Sequence, residues 1–220
     1  MIWSLLGYRQ KTYDEVVAEL ETGDIILYQT TGHWYSRAIE YFTGSPYSHI
    51  SIVLKNPTWL DPNLTEEVYI LESGGEDFPG ADTGKITYGV QIASFRQIWN
   101  EYFLGESKGH LYVRKLTTAI SDLNDRIKTA YEKVRGKPYD LHPRDWLDAF
   151  IDEKKSLDEI NGEQRTDCFW CSALVSYIYI GCGFIPVTTP WTVITPQDFS
   201  CKAKRLCFSN CSFGEDTQIL

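Results

Sequence analysis

The chain has 220 residues and a formal net charge of -9, with 43% hydrophobic and 23% charged residues. That make-up suits an ordinary globular protein with one well-formed core, and it excludes a disordered or fibrous chain. An acidic balance without a basic stripe argues against a nucleic-acid partner, and no apolar run is long enough to cross a bilayer.

The first residues, Met1-Ile2-Trp3-Ser4-Leu5-Leu6, lack a basic n-region and are too short for a secretory signal, so a cytoplasmic location is expected. They are expected to dock on the body, with contact to a membrane surface left open. Residues 13–20 place Val16, Val17 and Leu20 at helical spacing between acids, which predicts a short amphipathic helix stopped by Gly23. Asp24-Ile25-Ile26-Leu27-Tyr28-Gln29 predicts a buried strand. A helix is predicted over 34–42, with Tyr35, Ile39 and Phe42 on one face and Gly44-Ser45-Pro46 ending it. Residues 48–54 alternate and are β-branched, hence a strand. Residues 56–66 read as a surface loop, 67–72 as a strand ended by Ser73-Gly74-Gly75, and the acidic, glycine-rich 76–85 as a mobile loop.

Strand character returns over 90–93, Ser94 is expected to cap a helix running through Tyr102, and 110–116 reads as a strand. The clearest helix is 121–135. Ser121 is expected to cap it, Leu123, Ile127, Ala130, Tyr131 and Val134 form its apolar stripe, and Gly136 closes it. Residues 136–140 predict a turn, 146–162 a largely polar helix, and 168–181 a buried helix beginning near Asp167. Without repeats or a linker, residues 1–220 are expected to form a single α+β domain.

All six cysteines, Cys168, Cys171, Cys182, Cys201, Cys207 and Cys211, fall in the last quarter of the chain. A disulfide scaffold would spread them through a smaller protein, so reduced thiols are expected. Joined to Cys168 and Cys171, the tail set Cys201, Cys207 and Cys211 offers a zinc site as the lesser reading, but the spacings fit no paired zinc arrangement, and neither metal nor cofactor is expected. Cys168-Phe169-Trp170-Cys171 has redox spacing, but bulky aromatics separate the thiols and a polar segment precedes them. Cys171 is the best-placed nucleophile. It falls in the first turns of an apolar helix, where the dipole and unpaired N–H groups favour a thiolate. The helix start at Trp170 and Cys171 can serve as an oxyanion hole. The plainer alternative is a small core residue.

Among the four histidines, His33 and His142 fall in expected loops. His49 opens a strand after a Gly-Ser-Pro turn, and His110 is its rival. Taken alone, a histidine in His49's place is more often structural than a base. Glu72, at the end of the next strand, could orient the imidazole, although alone it reads as a solvated acid.

Together the segments Gly23-Asp24-Ile25-Ile26-Leu27, Ser45-Pro46-Tyr47-Ser48-His49-Ile50-Ser51-Ile52-Val53, Val68-Tyr69-Ile70-Leu71-Glu72-Ser73, Gly136-Lys137-Pro138-Tyr139-Asp140 and Phe169-Trp170-Cys171-Ser172-Ala173-Leu174-Val175 resemble the permuted NlpC/P60 hydrolases. That group includes YiiX-like proteins and relatives in large DNA viruses. The resemblance spans about residues 20–200 and departs at Ala173, where many relatives carry an acid. It implies a circularly permuted papain-like α+β fold, with a small, partly barrel-like antiparallel sheet packed on the cysteine helix. It also implies a Cys171–His49–Glu72 triad in a thiol-dependent hydrolase or acyltransferase. A peptide or lipid amide or ester is the implied substrate, and a virion-associated location joins the cytoplasmic one. The alternative is a non-catalytic structural or binding protein, such as a virion component, that keeps the fold. None of this sets the oligomeric state.

Overall fold

Six β-rich runs pair into one antiparallel sheet. The computed structural model describes residues 11–30, 46–75, 78–104, 109–140, 157 and 166–220. The predicted helices at 34–42 and 146–162, residues 1–6, His33 and His142 lie outside the described residues. The strands are β1 (Ile25–Thr30), β2 (His49–Lys55), β3 (Val68–Gly74), β4 (Gly89–Ser94), β5 (Gly109–Leu116) and β6 (Phe213–Gln218). The helices are α1 (Tyr13–Glu19), α2 (Phe95–Leu104), α3 (Leu123–Val134) and α4 (Cys171–Gly181). Among the described residues the strand order is β4-β3-β2-β1-β5-β6, an open sheet with β4 and β6 at its edges rather than a closed barrel.

Side-chain alternation gives the sheet two buried faces. Ile25, Leu27, Ile50, Ile52, Leu71 and Ile92 pack with the apolar sides of α3 and α4. Ile26, Tyr28, Val53, Ile70 and Ala93 pack with Val16 and Val17 of α1 and Phe95, Ile98 and Trp99 of α2. Burial on both sides explains why β1 to β3 read as nearly continuous apolar runs rather than half-polar ones. Each such side chain taken from water contributes about 1.5–3 kcal/mol before entropy is charged against it.

Several boundaries differ from the sequence expectation. Thr12 caps α1 in a capping box, accepting from Glu15 N while the Glu15 carboxylate accepts from Thr12 N at 2.8 Å. Asp122, not Ser121, is the N-cap of α3, and it makes no side-chain capping bond; it pairs with Arg126 at 2.9 Å instead. The expected stripe of α3 is buried as predicted, and Gly136 takes φ +68° just past its end. The loop over 56–66 is not wholly at the surface, because Leu64 is fully buried. The loop expected to be mobile is tied down over its described part. Asp82 accepts from Tyr131 Oη, from Arg135 Nε at 3.2 Å and from Ile92 N at 3.3 Å.

Candidate active site

The site assembles where β2 begins and β3 ends. In β1, Tyr28 lies opposite His49, with its ring edge-on to the imidazole at 4.9 Å. On the other side β3 supplies Glu72, whose Oε2 is 2.8 Å from His49 Nε2. An ionised carboxylate can only accept, so Nε2 donates and Nδ1 is the nitrogen left for another partner. Glu72 does not end its strand as a solvated acid. The strand runs on through Ser73 and Gly74, and the Glu72 side chain has 0% exposure against 19% for His49. Gly74 lies beside the pair: a Cβ there would be in ordinary van der Waals contact, at 3.5 Å, with both His49 Cε1 and Glu72 Cδ.

Cys171 arrives from the opposite face of the sheet. The helix expected from about residue 168 starts at Cys171, with Trp170 as N-cap in an extended conformation. The reason is backbone pairing one residue earlier. Phe169 N donates to Pro138 O at 3.0 Å, and Phe169 O accepts from Asp140 N at 3.2 Å and from Ser73 Oγ at 2.6 Å. Residues 137–140 are in turn bonded to β4 through Val90 N to Lys137 O, and to the residue just before it through Tyr139 N to Tyr88 O. That approach needs Gly89, whose φ is +151° and whose Cβ would fall 2.1 Å from Lys137 O. What reads in sequence as a turn is a splint from the sheet edge to the cysteine.

The splint leaves Cys171 at the first position of α4, 5% exposed, with its thiol hydrogen-bonded to His49. Burial by itself would lower the His49 pKa. The charge of Cys171, its hydrogen bond and the Glu72 carboxylate outweigh that and hold the imidazole well above its ordinary 6.5. The environment therefore favours the imidazolium. No side chain caps this end of α4, and the first intrahelical bond comes from Leu174 N to Trp170 O. The amides of Cys171 and Ser172 thus precede the helix ladder and can receive an anion. The Trp170 indole N–H is buried and has no partner among the described residues.

The other candidates separate cleanly. His110 lies on β5, across β1 from His49, and is engaged there, with Nδ1 3.2 Å from Leu220 O and 2.9 Å from Gln218 Nε2. Burial pushes Cys182 up to about 12 and Cys211 up to about 11, so both stay neutral thiols near pH 7. Cys168 is buried, and its thiol faces the Asp167 carboxylate. Among the described residues no three His, Cys, Asp or Glu side chains converge as metal ligands. Sequence inspection missed Ser73 and Gln91, both fully buried polar residues. The only available signal was a polar residue inside an otherwise apolar strand pattern.

Neither the family models nor the curated proteins contain a match to the chain. Among solved structures, it is similar to the metalloprotein YiiX from Escherichia coli O157:H7, at 21% identity and a TM-score of 0.45. The match covers 72% of this chain and 64% of YiiX, so the chain spans somewhat less than two thirds of that protein. Among the described residues no helix is long and apolar enough to cross a membrane.

Proposed function

We propose that the chain is a thiol-dependent hydrolase or acyltransferase acting on an amide or ester through Cys171, His49 and Glu72. The observation that carries this reading is a continuous hydrogen-bonded row from a helix-terminal thiol through an imidazole to a buried carboxylate. That order of nucleophile, base and orienting group is what acyl transfer through a covalent intermediate requires.

His49 takes the Cys171 proton, and the resulting thiolate attacks the carbonyl carbon. The oxyanion that forms is met by the amides at the start of α4. The imidazolium then returns its proton to the leaving amine or alcohol as the acyl-thioester forms. Water or a second acceptor, deprotonated by His49, releases the acyl group and restores the thiol. Glu72 holds His49 with Nε2 protonated throughout, which keeps Nδ1 turned to sulfur. Peptide amides and lipid esters are the substrates to try first, on the strength of the motif resemblance.

The test is alkylation of each cysteine against pH, read by mass spectrometry, in the native protein and in His49→Ala. The expected result is that Cys171 reacts fastest, with a midpoint below the roughly 8.5 of a free thiol, and loses that advantage in the variant. A Cys171 that reacts like the other thiols in both proteins sinks the proposal.

A further inference from the structure

Glu72 of β3 and Gln91 of β4 lie directly opposite each other, and neither has any solvent exposure. Gln91 Nε2 donates to Glu72 Oε1 at 3.0 Å, while Glu72 Oε2 carries the 2.8 Å bond to His49. On the far side, Thr87 Oγ1 lies 3.4 Å from Gln91 Oε1. The polar row thus continues past the carboxylate into the sheet edge. Its neighbours on this face, Ile70 and Ala93, are apolar. A buried amide in such surroundings is costly unless its hydrogen bonds are made.

We propose that Gln91 is a positioning residue: its amide N–H locks the Glu72 carboxylate in its charged form, with Oε2 facing His49. The inference rests on the thiol-hydrolase reading and adds a fourth member to it. The terminal torsion of a glutamate is broad, so one bond to His49 leaves the carboxylate free to swing. A buried carboxylate with a single partner also tends to take up a proton. Protonation would reverse the polarity of the row. A neutral Glu72 would donate to Nε2, the ring proton would move to Nδ1, and Nδ1 could no longer accept from Cys171. Gln91 opposes this because a donor aimed at Oε1 favours the form in which both oxygens accept.

Iodoacetamide alkylation of Cys171 against pH, with the His49 imidazole followed by NMR, tests the inference in Gln91→Met and Gln91→Glu. Thermal unfolding checks that each variant is folded. In Gln91→Met the plateau of Cys171 alkylation at neutral pH is expected to fall about tenfold, and the His49 midpoint to move down. Gln91→Glu should rescue the plateau while it keeps its proton, because two carboxylates at hydrogen-bond distance share one. The rescue should disappear as pH rises through loss of that proton, an ionisation the wild type lacks.

A folded Gln91→Met with an unchanged plateau and an unchanged His49 midpoint overturns the inference. Should Gln91→Met not fold, Gln91→Glu decides, and absence of the new ionisation overturns it equally. Failure of the underlying site looks different. His49→Ala would then leave Cys171 alkylation as it was, and the role of Gln91 would fall with it. If only the Gln91 inference fails, His49→Ala keeps its full effect.

Discussion

Asp24 and Glu72 are both carboxylates with no solvent exposure, set against the same sheet, and they are held in opposite ways. Asp24 accepts from Glu21 N and Leu116 N at 2.8 Å each and from the Lys115 ammonium. Those partners are two fixed backbone dipoles and an ammonium group. Burial still raises its pKa, against the lowering effect of Lys115 and the backbone bonds. The described partners of Glu72 are both side chains, and one of them, His49, titrates. A carboxylate saturated by backbone joins chain segments, here the α1–β1 turn and the end of β5. One bonded to an imidazole can instead follow a proton.

The sharpest way to separate the two regions is to remove the chemistry without disturbing the fold. Cys171→Ala deletes one sulfur at a helix start and should reduce acyl transfer to background, a loss of about a thousandfold or more. Its thermal midpoint should stay close to wild type. Asp24→Ala is the converse. It takes the acceptor from two backbone N–H groups and the counter-charge from Lys115, and should cost about 3 kcal/mol in urea unfolding. Cys171 in the fraction that remains folded should alkylate as before.

Gly89→Ala tests whether the splint links the regions. Its Cβ would press on Lys137 O, and the displacement should pass through Phe169 to Cys171. A loss of about 2 kcal/mol together with slower Cys171 alkylation is expected. Stability loss with unchanged alkylation would show that α4 holds Cys171 without it. Glu72→Gln keeps the shape and removes the charge. The Cys171 alkylation plateau should fall about tenfold, equivalent to roughly 1.4 kcal/mol, and unchanged kinetics would make Glu72 a bystander.

The smallest effect is a pH dependence. The His49 pKa in the fold is raised above the 6.5 of an unfolded histidine. The stability it contributes is therefore fully present below about pH 6.5 and lost as pH rises through the raised value. The excess stability of wild type over Glu72→Gln should shrink on the alkaline side. A gap that instead grows there would contradict the favoured imidazolium.

Much of the scaffold could be read in advance because its signals are local. The 3.6-residue stripe of α3, the β-branched runs of β1, β2 and β3, and the glycine after α3 are each set within a dozen residues. Cys171, His49 and Glu72 were legible as candidates through motif order, and the structure places them in contact. The misses share a cause. Ser121 and Asp122 are both capping residue types one position apart, and only the tertiary course of the chain chose between them. The expected start of α4 is too early because residues 168–170 continue the apolar run of the helix directly after Asp167, a capping residue type. Pairing of Phe169 with Pro138 and Asp140 overrides that local preference.

The sequence by itself determined which segments become strands and helices, since periodicity and turn residues act over short range. It also supplied the thiol, imidazole and carboxylate that the proposed acyl transfer would use. Only the tertiary structure decided that β3 would set Glu72 against His49 and Gln91, and that a bridge from Gly89 would deliver Cys171 to the other side of the same imidazole. Those contacts join residues 19 to 122 positions apart. Their geometry follows from strand register and from burial on both faces of the sheet, which no local stretch of sequence encodes.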